Sequence, residues 1–297
     1  MTLCHALTAI VVVFALGAPA AARAYDDKAR QDKATQESTT PPPPPVQAAN
    51  DEDDAVLKLA EPDFTLISLP TSLRLPRFKG TFRVTHRFTR SLGQGDFGDL
   101  AADFFSLDSG AVIGLEYRFG IVRNGEIGIN RTSGRTIEFF AQYGLARQGR
   151  RLPVEVSALA ALDGTNNFKD SYSPSLGLIV SRRVNDYAAL YVEPIWVNNT
   201  NPFPKAVADH NDTFMIGLGG RLRVRPTVYV VVEVSPRVSG FKPGVNHGSF
   251  AIEKRAGGHM FQLNFSDSFS TLLSQIARGG QTTKDWYMGF NITRKFY

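Results

Sequence analysis

Arginine and glutamate recur in this 297-residue sequence in one phase of segments whose other phase is largely apolar. Arg83 and Arg87 interleave with Phe82, Val84 and Phe88. Glu116, Arg118, Glu126, Glu138, Glu155, Arg183, Glu193, Arg221, Arg223, Glu233 and Lys295 hold the same kind of position in later segments. Successive side chains of a β-strand point to opposite faces, so these charges collect on one side of a sheet. Two chemistries suit such a face. Spread around a wet lumen, charges of both signs bias the passage of ions. Paired across a narrow lumen, they form bidentate arginine–carboxylate bridges that fill it. Gly114, Gly128, Gly144, Gly177, Gly217, Gly219 and Gly289 share the inward phase, where they leave space or let a strand bend.

Other chemistry finds little support. His210, His247 and His259 form no HxxH or HExxH spacing, and His86 falls in phase with apolar neighbours, so no metal site is expected. A membrane-embedded hydrolase needs serine and histidine on neighbouring strands, whereas His247 and Ser249 share a face of one strand. Gly93, Gly95 and Gly98 spell GxGxxG, but that fingerprint requires a parallel β-α-β unit. The single cysteine, Cys4, lies in the leader, which leaves the mature chain without a thiol. Net charge is +5, yet no basic-aromatic recognition element for nucleic acid appears. The sequence therefore predicts neither an enzyme nor a bound cofactor.

The positioning elements are read as twelve antiparallel strands. They run over residues 79–90, 111–121, 126–131, 135–147, 152–162, 173–183, 186–197, 212–224, 227–238, 248–254, 258–266 and 285–297. In the last, Trp286, Met288, Phe290, Ile292 and Phe296 share one face and Tyr287, Gly289, Asn291, Thr293 and Lys295 the other. A strand of this pattern matches the closing strand of an outer-membrane barrel, with its apolar side toward lipid. Connections after even strands are short and those after odd strands mostly long, the alternation of periplasmic turns and extracellular loops. The fold class expected is all-β: an antiparallel up-and-down transmembrane barrel of about twelve strands with short loop helices, one at Ser270 to Arg278 on the rim.

Ahead of the strands, residues 1–24 read as a cleaved export signal with an Ala22-Arg23-Ala24 cleavage site. Residues 25–58, with Pro41 to Pro45 and the acidic run Asp51 to Asp54, read as a disordered periplasmic tether. Residues 59–78 are expected to lie in or across the periplasmic mouth as a plug segment, and residues 79–297 to form the barrel. No run approaches the roughly 18–20 apolar residues of a membrane helix.

Three motifs in order resemble a known family: Thr85-His86-Arg87-Phe88, Glu138-Phe139-Phe140-Ala141-Gln142-Tyr143 and Phe290 to Phe296. Together they are similar to an uncharacterised family of bacterial outer-membrane β-barrel proteins, a domain of unknown function. The resemblance covers roughly Leu69 to Tyr297, implies the barrel, and brings no catalytic residues or substrate. The partners expected are outer-membrane lipid, the barrel-assembly machinery through the carboxyl-terminal strand, and a periplasmic partner of the tether. The leading expectation is a narrow porin-like channel for small solutes or ions with mild anion preference. The alternative is a closed structural or interaction barrel.

Overall fold

A computed structural model describes residues 59–204, 210–280, 282 and 285–296. The leader and tether, residues 1–58, lie outside the described residues.

Alternating sequence becomes strand throughout. The strands are β1 (Gly80–Phe88), β2 (Ala111–Val122), β3 (Gly125–Thr132), β4 (Ile137–Ala146), β5 (Glu155–Gly164), β6 (Asp170–Val184) and β7 (Ala188–Asn198). There follow β8 (Asp212–Arg225), β9 (Val228–Ser235), β10 (Arg237–Gly240), β11 (His247–Ala256), β12 (His259–Ser266) and β13 (Tyr287–Phe296). Every neighbouring pair is antiparallel, and β1 pairs with both β2 and β13, so the sheet closes on itself. Val84 stands opposite Ile292 at the seam. Pro236 divides β9 from β10, because proline has no N–H to give the ladder. Both pieces pair with β8, and the thirteen segments form twelve staves.

The apolar phase points outward. Leu115, Tyr117, Ile129, Phe139, Tyr143, Leu176, Leu190, Leu218, Val232, Ile252 and Phe261 are all exposed on the outer wall. So large an apolar surface suits lipid rather than water. On β13, Phe296 is exposed and Met288, Phe290 and Ile292 are partly so, while Gly289, Asn291, Thr293 and Lys295 are buried on the inside. Trp286 packs against Phe250 just ahead of β13. His86 also faces outward, stacked on Phe290 at 4.7 Å between centroids.

Short links, residues 123–124, 185–187, 226–227 and 257–258, gather with both ends of the strand array at what we call the turn end. Residues 89–110, 199–204, 210–211, 241–246, 267–280 and 285–286 gather at the loop end. Two boundaries differ from expectation. Residues 147–154 make the turn before β5 longer, because Leu152 to Val154 stay out of the ladder, and β6 starts at Asp170, which shortens the following loop to 165–169. Helix α1 (Phe97–Ala102) is exposed, with Asp96 and Asp99 in reciprocal capping bonds of 3.0 Å. Helix α2 (Leu273–Arg278) was expected on the rim. Instead Leu273, Ser274, Ile276 and Ala277 are buried, and α2 packs inside against β6, β7 and β8. Its apolar residues Leu273, Ile276 and Ala277 join one core with inner-wall residues that include Ile195, Val197 and Met215.

Candidate functional site

The lumen is filled from the turn end by residues 59–76, which form a hairpin. Thr65 bridges Pro70, the Leu66 N–H donates to the Leu69 carbonyl at 2.8 Å and the Thr71 N–H to Phe64 at 2.9 Å, so Leu66 to Leu69 make the tip. Phe64, Leu66, Ile67, Leu69, Leu73 and Leu75 are all buried. Tip residues Leu66, Ile67 and Leu69 join the apolar inner wall as one core.

The wall holds this hairpin mainly by its backbone. At the tip, the Glu233 carboxylate accepts from the N–H groups of Ile67, Ser68 and Leu69 at 3.0–3.1 Å. The Ile67 carbonyl accepts from Arg83, from Arg87 at 3.5 Å and from Asn291 at 3.1 Å. Gln262 donates to the Leu66 carbonyl at 2.7 Å, Arg221 to Thr65 at 2.6 Å and Gln142 to Thr71 at 2.8 Å. Toward the turn end, Lys295 donates to Pro62, and Glu126 accepts from the Leu75 N–H at 3.1 Å. A buried main chain must have its donors and acceptors satisfied, and here the wall satisfies them because the hairpin is too short to do so itself.

Side chains add register. Tyr191 donates to Glu61 at 2.7 Å, Thr293 to Asp63 at 2.9 Å, and the Ser72 and Ser181 hydroxyls are 2.5 Å apart. Arg74 lies 3.4 Å from Glu155 and donates to the Ala146 carbonyl at 2.5 Å. Inward glycines are the seats. A Cβ on Gly219 would come 2.2 Å from Leu66 Cδ1, on Gly217 2.9 Å from Leu69 Cδ1, and on Gly144 2.1 Å from the Arg74 guanidinium. The space these glycines leave is therefore taken up by the hairpin. Gly219→Val is expected to unseat Leu66 at an overpacking cost of about 1–3 kcal/mol, raising the fraction of chains with the tip out roughly 10- to 100-fold. Proteolysis between Leu66 and Leu69 in the folded barrel reads that fraction, and unchanged protection would count against the seat.

Of the charges read from sequence, Arg83, Arg87, Glu116, Arg118, Glu126, Glu138, Glu155, Glu193, Arg221, Glu233 and Lys295 are buried within the barrel, and Arg183 is half-buried near the turn end. Arg223 was expected on the same wall but lies at the turn-end rim, donating to the Pro226 carbonyl, because it stands two residues from the end of β8. Several pairs come together. Arg118 bridges Glu116 at 2.5 Å and Glu126 at 3.0 Å, Arg183 bridges Glu155 at 2.7 Å and Glu61 at 3.3 Å, and Arg221 meets Glu253 at 2.8 Å. Arg83 stands 3.8 Å from Glu116. Glu138 and Glu193 are brought to no arginine or lysine among the described residues.

Sequence reasoning passed over Glu253, Asp163, Gln142, Gln262 and Tyr191 as inward residues, and all five are buried within the barrel. Their phase was the available signal. His247 meets Asp267 at 2.9 Å, while Ser249 donates to Glu233 at 3.0 Å and not to His247.

The sequence model of one family, described as a membrane-bound β-barrel domain (DUF5777), matches residues 65–296, so the match begins inside the hairpin. Comparison with curated proteins finds no match. Among solved structures, an outer membrane channel from Pseudomonas putida F1 aligns over 75% of this chain and 97% of its own, at 11% identity and TM-score 0.48. The KdgM porin, solved with disordered oligogalacturonate, aligns over 73% and 99%, at 8% identity and TM-score 0.47. Omp33 of Acinetobacter baumannii aligns over 74% and 98%, at 10% identity and TM-score 0.41.

Proposed function

We propose, for a chain that belongs to the DUF5777 family of membrane-bound β-barrel domains, a bacterial outer-membrane passage that is shut while its own amino-terminal hairpin sits in the lumen. One observation carries the reading: the hairpin enters and leaves by the same mouth. Pro62 is bonded near the end of β13 and Leu75 near the start of β3, both at the turn end, while the tip reaches Arg87 and Glu233 deeper in the barrel. A segment inserted this way withdraws without threading, and the polar groups that held its backbone would then line a wet channel. With the turn end toward the periplasm, as short turns are in such barrels, the acidic, proline-rich sequence ahead of the hairpin would serve as a handle for a periplasmic partner. The outer belt would meet lipid, and β13 would present the carboxyl-terminal strand to the assembly machinery.

Selectivity would be weak. Glu253 and Asp163 join Glu116, Glu126, Glu138, Glu155, Glu193 and Glu233 inside, facing Arg83, Arg87, Arg118, Arg183, Arg221, Arg237 and Lys295. That near-balance supports passage of small polar solutes or ions over the mild anion preference expected from the sequence. The arginine–glutamate pairing favours a second reading, a closed interaction barrel whose hairpin never leaves.

A lock separates the two. Ser72→Cys with Ser181→Cys places a thiol on the hairpin and one on β6 where hydroxyls are 2.5 Å apart, in a mature chain with no other cysteine. The oxidised protein should be silent in planar bilayers and the reduced protein should open. Silence in both states from a folded barrel would move the assignment to the closed reading.

A further inference from the structure

Between the hairpin tip and α2 lies a cavity of about 30 Å³, room for roughly one or two water-sized species. Its lining comes from the hairpin, the segment that starts α2 and the wall, which also contributes Glu116 and Arg118, paired with each other. Thr65 and Ser68 belong to the hairpin, Thr271 and Leu273 to the segment that starts α2, and Asn130 and Glu138 to β3 and β4. Five of these residues present oxygen atoms that find no protein partner: Thr65 Oγ1, Ser68 Oγ, Thr271 Oγ1, Asn130 Oδ1 and Glu138 Oε2. All five residues are more than nine-tenths buried. Asn130 Oδ1 and Thr271 Oγ1 both come within 4 Å of the point where a Cβ on Gly114 would stand. Buried polar atoms left unpaired are rare in native proteins, and five around one cavity call for a common partner.

The charge around the cavity says what kind. Glu138 stands in register beside Asp163 on β5, another carboxylate. The nearby Arg118 is already committed to Glu116 and Glu126. No described lysine or arginine lies within ion-pair distance of Glu138, although it is buried. The five unpartnered atoms are all oxygens, of hydroxyls, an amide and one carboxylate, which suits a hard cation and offers nothing to zinc or copper. Of the two lining carboxylates Glu116 is paired with Arg118, which leaves Glu138 to balance one positive charge, and the cavity is too small for the water shell that magnesium keeps.

We propose that this cavity binds one monovalent cation of about sodium size, coordinated by hairpin, wall and α2 segment together. Occupancy ties the hairpin tip to the α2 segment, so the cation holds both lumenal inserts in place. The site goes beyond the proposed passage and does not depend on the barrel conducting.

The test uses the full mature chain refolded in detergent at fixed ionic strength, in chlorides of sodium, lithium, potassium or N-methylglucamine. Sodium should raise the apparent thermal midpoint at one scan rate by roughly 3–6 °C over N-methylglucamine, saturably, and equilibrium dialysis with radioactive sodium should give one ion per chain. Glu138→Gln keeps the shape and removes the charge; it should abolish both effects. If that variant does not refold, Thr271→Val decides, and should weaken the saturation about tenfold. A midpoint indifferent to the cation, which is what water alone in the cavity gives, overturns the proposal. So does sodium dependence that survives in Glu138→Gln or is unchanged in Thr271→Val.

Discussion

A chain that begins at Pro76 is expected to give discrete conductance steps in a planar bilayer under conditions in which a chain that begins at Tyr25 is silent. The barrel should survive the deletion, since its ladder closes through β1 and β13 and the deleted residues contribute no strand to it. What the deletion removes is the apolar tip packed on the wall and a set of backbone groups bonded by Glu233, Arg83, Asn291, Gln262, Arg221 and Gln142. Those wall groups become solvated rather than stranded, because water can follow into the volume above Gly144, Gly217 and Gly219. Steps should be small, as α2 still occupies the β6–β8 side. Heat-modifiability on a gel checks that the truncated barrel is folded. A folded, silent truncated barrel would end the passage reading.

Glu233→Ala should have the next largest effect, and in the full-length chain. One carboxylate accepts three successive N–H groups at the tip, from Ile67, Ser68 and Leu69, and a fourth bond from Ser249. Truncating it strands donors that nothing else in the lumen reaches. Bonds to a charged group contribute about 1.5–3 kcal/mol each but do not add, and removing one side of such a buried set costs about 3–5 kcal/mol. The tip-out population should therefore rise by roughly two to three orders of magnitude. Hydrogen exchange at Ile67, Ser68 and Leu69 should accelerate by that factor while the β1 and β13 amides keep their protection. Equal acceleration in the strands would mean that the variant loosens the barrel rather than the hairpin, and unchanged exchange at the tip would sink the assignment of Glu233 as its anchor.

How the hairpin is recognised explains what was hard to read. Arg83, Arg87 and Arg221 were legible as inward charges from their spacing, yet their ligands are carbonyls of Ile67 and Thr65. A carbonyl carries no sequence signal, because every residue has one. The apolar stretch from Phe64 to Leu75 was recognisable as a segment near the mouth, but its depth follows from wall positions as far off in sequence as Asn291 is from Ile67. One mark of that depth was present. Ala189, Tyr191, Ile195 and Val197 make the inner phase of β7 apolar on either side of Glu193, although its outer phase is apolar as well, and a lumen full of water does not need that. The same inner wall takes α2, which is why a helix with Leu273 and Ile276 on one side lies inside and not on the rim.

Residue types in order settled the staves, their two faces and the closing strand from Tyr287 to Phe296, because the two-residue period of a strand and the lipid–lumen contrast are local and repeat along the chain. The same period put Arg83, Arg87, Glu116, Arg118, Glu126, Glu138 and Glu155 in the inward phase, though it left Asp163 of β5 unremarked. Whether that interior is open was decided only in three dimensions. Arginine beside glutamate, and glycine in an inward phase, are compatible with an empty pore and with a filled one. The difference lies in which distant backbone arrives at Glu233 and above Gly219, and contacts between residues 166 positions apart depend on the closed sheet rather than on any local pattern.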